Sequence, residues 1–183
     1  MIFKSLHNIL LNKKISNSLD KLSQQTRFKP NPIKTLGCIV DPSFPISVEN
    51  FIDLSISLGL KEKDLKIITF QENKNIFNVF SAMNITPSCV SFYGNIKGTD
   101  SLEFVSFEYD LLINFFKSNR LLTLLSSKTN AKFRVGFESV NSNLNDLIFS
   151  NKIKKYKNFK SELIKYLKMI KWMKFWKSLE ELG

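Results

Sequence analysis

Four short apolar runs, at residues 33–40, 66–70, 109–116 and 133–137, constrain this chain more than any other feature. Each is apolar at successive positions, as in Leu36-Gly37-Cys38-Ile39-Val40 and Leu111-Leu112-Ile113. A strand with that pattern has to be covered on both faces, which is the situation of a mostly parallel sheet between helix layers. The intervening stretches have helical length. Ser47 is expected to N-cap a helix over 48–58, with Gly59 just past its end. Residues 120–128 form the clearest short helix, capped by Ser118 or Asn119. Further helices are expected at 74–82 and 101–107, further strands at 88–93 and 147–150, and a turn bracketed by Gly94 and Gly98. The alternation predicts an α/β fold, a Rossmann-like three-layer core over residues 33–150.

Basic amphipathic helices are expected at both ends of that core. Residues 1–32 hold the first, with Phe3, Leu6, Ile9, Leu10, Leu19 and Leu22 near helical spacing, and then a linker containing Pro30 and Pro32. Residues 151–183 hold the second, whose apolar stripe is Phe159, Leu163, Tyr166, Leu167, Ile170 and Met173. The formal charge of the 183-residue chain is +11. Residues 1–32 carry +5, residues 33–150 carry −1 and residues 151–183 carry +7. Attraction to phosphate or anionic lipid is therefore expected from the terminal segments.

Several function classes lack their residues. Two cysteines, Cys38 and Cys89, cannot form a disulfide framework or a four-cysteine metal site. Both lie in runs read as strands and are expected to be buried, inert thiols of a reducing cytoplasm. His7 is the single histidine, so no metal centre is assigned. No GxxxxGK[ST], GxGxxG, HExxH, CxxC or GxSxG motif occurs, and no cofactor is assigned. No stretch approaches the roughly 18 uninterrupted apolar residues of a membrane span. The N-terminus lacks a signal-peptide pattern, so a cytoplasmic location is expected.

In an open parallel sheet, ligands bind outside the carboxyl ends of the strands. That rule nominates Asp41 and Ser43 after the first strand and Glu72 after the second. It also nominates Lys117, Ser118 and Asn119 after the 109–116 run, and Glu138 after 133–137. Asp41 and Glu138 are the candidate bases. Ser43, Lys117, Asn119 and Arg120 are the candidate ligand-binding residues, with Lys117 and Arg120 as anion clamps. The blander reading is that Asn119 caps a helix, Asp41 serves a turn and the cations are solvated. In the C-terminal helix, Lys168, Lys171, Trp172, Phe175 and Trp176 interleave cations with aromatics off the apolar stripe. That mixture suits a partner surface, or packing against the N-terminal helix or a second subunit.

Two resemblances stand beside this reading. The run Tyr109-Asp110-Leu111-Leu112-Ile113-Asn114-Phe115-Phe116, followed by Leu121 to Leu125 and Ala131-Lys132-Phe133-Arg134-Val135-Gly136-Phe137, resembles a family of small uncharacterised bacterial proteins. Ile33-Lys34-Thr35-Leu36-Gly37, Asn145-Asp146-Leu147-Ile148 and the segment 159–167 extend that likeness over most of the chain. It is a domain of unknown function, so it implies a fold and no activity. More distantly, residues 109–137 are similar to part of the N-terminal domain of heptosyltransferase-like glycosyltransferases, where Ala131, Arg134, Gly136 and Phe137 match. Asn114-Phe115-Phe116 departs from the polar, glycine-containing strand end of those enzymes, which also use two such domains.

The expected function is non-enzymatic binding or scaffolding. The partner is anionic and contacted through the terminal helices: another protein, RNA or the ribosome, or a membrane surface. A small enzyme of glycosyltransferase-like half-fold, acting on a phosphorylated or nucleotide-sugar substrate, is the alternative. A homodimer formed through the terminal helices is the third reading.

Overall fold

Six strands, β1 (Leu36–Val40), β2 (Leu65–Phe70), β3 (Met83–Ile85), β4 (Leu111–Phe115), β5 (Arg134–Phe137) and β6 (Leu147–Phe149), make one sheet. Its order is β3-β2-β1-β4-β5-β6, and every pairing is parallel. The computed structural model describes residues 2–25, 32–44, 46–72, 83–138, 142–150 and 156–180. The helices are α1 (Ile2–Ser23), α2 (Val48–Ser57), α3 (Thr99–Ser106), α4 (Arg120–Lys128) and α5 (Tyr156–Glu180). The strand order reverses between β1 and β4, which makes the carboxyl ends of these two strands a topological switch point.

Side chains alternate across each strand, so successive apolar residues serve two cores. Leu36, Cys38, Val40, Leu111, Ile113 and Phe115 face α2 and α5. Ile39, Leu112 and Phe116 face α1, α3 and α4. The first core is built on phenylalanine. Phe115 packs edge-on against Phe51 of α2 and Phe159 of α5, both at 4.9 Å between ring centroids. Such pairs add about 0.5–1.5 kcal/mol each beyond area burial. Both terminal helices are thus layers of the core: α5 buries Phe159, Leu163 and Leu167 on one face of the sheet. On the other face α1 buries Leu19 and Leu22.

Polar residues lock the sheet's amino-terminal edge. The Asp110 carboxylate accepts the Lys34 N–H at 2.7 Å and the Lys132 ammonium at 2.9 Å. Gly37 lies under the Tyr109 ring, where a Cβ would stand 2.8 Å from a ring carbon. Arg134 is only 2 % exposed, yet carries a full charge. Its guanidinium donates to the Ala131 carbonyl at 2.9 Å and to the Thr129 carbonyl at 2.7 Å. Thr129 is the C-cap of α4, so the cation sits where helix carbonyls lack partners and the macrodipole is negative.

Three expectations are corrected. The strand expected at 88–93 lies upstream, at Met83–Ile85. Pro87 instead starts a single 3₁₀ turn, Pro87–Cys89, because its fixed φ and missing N–H suit a helix start better than a ladder. Cys89 consequently sits half-buried in that turn, while Cys38 is fully buried in β1. Burial pushes both thiols up, but hydrogen bonding with Thr86 leads the opposing effects at Cys89 and leaves that thiol below its ordinary value. On α1 the buried face carries Leu11, Leu19 and Leu22, while Leu6 and Ile9 are 44 % and 60 % exposed. The helix expected at 74–82 lies outside the described residues. Gly94 and Gly98 both adopt the positive φ of a turn, and Gly59 does so after α2.

Candidate functional site

A cavity of about 720 Å³ opens at the carboxyl ends of β1, β2 and β3, beside the switch point. Buried Val40 and Phe51 and half-buried Ile46 and Phe70 give it an apolar base. Polar groups enter from each strand end. Asp41 and Ser43 come from the turn after β1, Gln71 and Glu72 from the end of β2, and Asn84 from β3. Ser47 and Glu49 come from the first turn of α2, and Asn119 from the cap of α4.

The turn after β1 is pinned by Asp41. Its N–H continues the ladder to the Phe115 carbonyl at 2.9 Å. One carboxylate oxygen accepts the Ser43 N–H at 2.9 Å, and the other accepts the Asn119 side-chain N–H at 3.3 Å. The Asn119 side-chain Oδ1 accepts the Leu121 and Leu122 N–H groups, so Asn119 is the helix cap and Ser118 is not. Deeper in, the Gln71 amide donates to Asn84 Oδ1 at 2.7 Å. Glu49 is held below the ordinary carboxylate range by its hydrogen bond to Ser47 and one to its own backbone N–H.

The structure brings Asp41, Ser43, Glu72 and Asn119 together here and leaves Lys117, Ser118, Arg120 and Glu138 outside the described lining. The Lys117 ammonium stands over the Phe44 ring, 6.0 Å from its centroid. Arg120 turns toward α1 and donates to Asn12 Oδ1 at 3.4 Å. Glu138 accepts from the Ser150 hydroxyl at 3.4 Å at the end of β5. The described lining holds three carboxylates, Asp41, Glu49 and Glu72, and no lysine, arginine or histidine. Sequence reasoning missed Ser47, Glu49, Gln71 and Asn84. The same strand-end rule reaches them once β3 is placed at Met83–Ile85 and the first turn of α2 is counted with the turn before it.

The basic residues collect elsewhere, on two surfaces at opposite faces of the sheet. On the α1 and α4 face, burial and the charges of Lys14 and Lys21 hold Lys128 below the ordinary lysine value. The Lys14 stem packs on Gly94, at the end of a turn that presents Phe92 and Tyr93, the latter 70 % exposed. His7 of α1 shares a 3.0 Å hydrogen bond with the Phe92 carbonyl, and the two rings lie 5.5 Å apart. On the α5 face, Lys157, Lys160, Lys165 and Lys168 border a shallow groove of about 560 Å³. Lys160 and Tyr156 both reach Asp53 of α2, at 2.6 and 2.8 Å. Lys168 is exposed on that groove; the side chains of Lys171, Trp172, Phe175 and Trp176 lie outside the described residues. No described helix is long and apolar enough to cross a membrane.

No curated protein and no solved structure matches this chain. Residues 7–170, from within α1 to within α5, match a family of unknown function (DUF6913), and the chain belongs to that family.

Proposed function

We propose that the protein acts by binding, as a cytoplasmic bacterial protein that contacts an anionic partner through its helix faces. The observation that carries this reading is the cluster Lys14, Lys21 and Lys128 beside exposed Phe92 and Tyr93. Like charges gathered on one face oppose one another, so the arrangement gains most when a polyanion neutralises it. Exposed rings next to cations fit a single-stranded RNA, which offers phosphates to the lysines and base faces to the rings. Arg120, turned toward α1, extends the same face. The α5 groove adds a second cationic surface, and with it the partner-surface role expected of Lys168.

The division into helix 1–32, core 33–150 and helix 151–183 is kept in this proposal as a division of charge. A glycosyltransferase-like half-fold acting on a phosphorylated or nucleotide-sugar substrate is the weaker reading, because the anion clamps it needs, Lys117 and Arg120, do not line the cleft.

The test is binding of the full chain to a single-stranded RNA oligonucleotide, an acidic peptide and anionic vesicles, each at two salt concentrations. Salt-sensitive RNA binding that Lys21→Gln with Lys128→Gln weakens supports the reading. Stronger binding to the peptide or the vesicles would reassign the partner, and absence of binding to all three would end the proposal.

A further inference from the structure

We infer that the cleft at the carboxyl ends of β1, β2 and β3 binds a small organic cation, an amine carried on an apolar or aromatic stem. This site is separate from the basic faces and stands or falls independently of them. The cavity marks the place. Its volume lies within the range of small-molecule pockets, and it sits beside the switch point of an open parallel sheet, where such folds bind ligands.

The lining then selects the chemistry. Val40, Ile46, Phe51 and Phe70 offer apolar area and two aromatic rings to a stem, and an ammonium group near a ring gains from its quadrupole. Among the described residues of the lining, Asp41, Glu49 and Glu72 offer negative charge and no lysine, arginine or histidine stands beside them. A phosphate or carboxylate entering this cleft would meet repulsion, whereas an ammonium would find acceptors. Gln71 and Asn84, already joined to each other, present the remaining amide groups that can orient a bound molecule. The sign of the cleft is opposite to that of the whole chain, whose net charge of +11 disfavours adventitious amine binding over the rest of the surface.

The experiment is a titration of the full chain, followed by the amide NMR signals of Phe70, Gln71, Glu72 and Asn84, with phenethylamine, tyramine and spermidine. The same titration with 3-phenylpropionate and with adenosine diphosphate supplies the anionic arms. Saturable shifts are expected with at least one amine and with neither anion. Glu49 and Glu72 are exposed, so Glu49→Gln with Glu72→Gln leaves the fold intact and is expected to weaken amine binding about tenfold. Shifts from 3-phenylpropionate equal to those from phenethylamine, binding of adenosine diphosphate in the cleft, unchanged amine affinity in the double variant, or no saturable shift from any amine would each overturn the inference.

Discussion

The side-chain amide of Asn114 donates a 2.7 Å hydrogen bond to the side-chain Oδ1 of Asn145, in a core where both residues are buried. Asn114 lies mid-sheet on β4, and Asn145 leads into β6, so the pair spans β5 between them. It crosses directly over Gly136, where a Cβ would stand 2.6 Å from Asn145 Cγ. Gly136 is thus a glycine for want of space. Replacing it with alanine forces Asn145 aside and should cost about 1–3 kcal/mol in denaturant unfolding. Asn145→Ala should absorb much of that clash, so the double-mutant cycle should show a coupling of about 0.5–3 kcal/mol.

Arg134 makes a second demand on the same strand. Its two carbonyl partners, Ala131 and Thr129, need a planar fork with two donors. Arg134→Ala should destabilise the fold by about 2–4 kcal/mol, since two charge-assisted hydrogen bonds at a buried site are lost. Arg134→Lys should recover little of this, because one ammonium cannot reproduce the bidentate geometry. Equilibrium urea unfolding of the three proteins decides it.

The Asp53 link between α2 and α5 should appear as a pH dependence. Hydrogen bonds from Lys160 and then Tyr156 hold the Asp53 carboxyl below the usual aspartate range. A depressed carboxylate pKa contributes stability that is present above the unfolded-state value and fades as pH falls through the folded-state value. Thermal melts below pH 4 should therefore converge for the native chain and Asp53→Asn, with the native chain more stable at pH 7.

Lys21 and Lys128 should separate stability from binding. Their mutual repulsion, with Lys14, opposes folding. Lys21→Gln should leave stability unchanged or raise it by about 0.5 kcal/mol at low salt, while weakening polyanion binding. Melts at two salt concentrations, set beside a binding titration, check both halves. A purely structural role for Lys21 would lower both together.

The sheet was legible in the sequence because residues buried on both faces leave apolar runs that nothing else explains. The edge strand Met83–Ile85 was not, since three residues with a central asparagine leave no run. Arg134, Asn114 and Asn145 carry residue types that sequence alone places in solvent. Their burial depends on partners 3 to 31 positions away. The Ala131-x-x-Arg134-x-Gly136 spacing has a local structural purpose: Arg134 bonds the Ala131 carbonyl and Gly136 makes room for Asn145. The strand-end rule found Asp41, Ser43, Glu72 and Asn119, but Arg120 turned away because its side chain meets α1, a contact across 108 positions.

The terminal helices also change how their charge can be tested. Deleting residues 151–183 would strip Phe159, Leu163 and Leu167 from the core, at about 2–5 kcal/mol for each large side chain lost, and would confound binding with unfolding. Substitution of exposed lysines avoids that.

The most direct measurement is the affinity of the full chain for a single-stranded RNA oligonucleotide across a salt series, for the native protein and for Lys21→Gln with Lys128→Gln. Affinity should fall linearly on log–log axes, and the double variant should bind more weakly with a slope shallower by about 1–2. Binding whose salt slope is the same in both proteins, or no binding at low salt, would contradict the account.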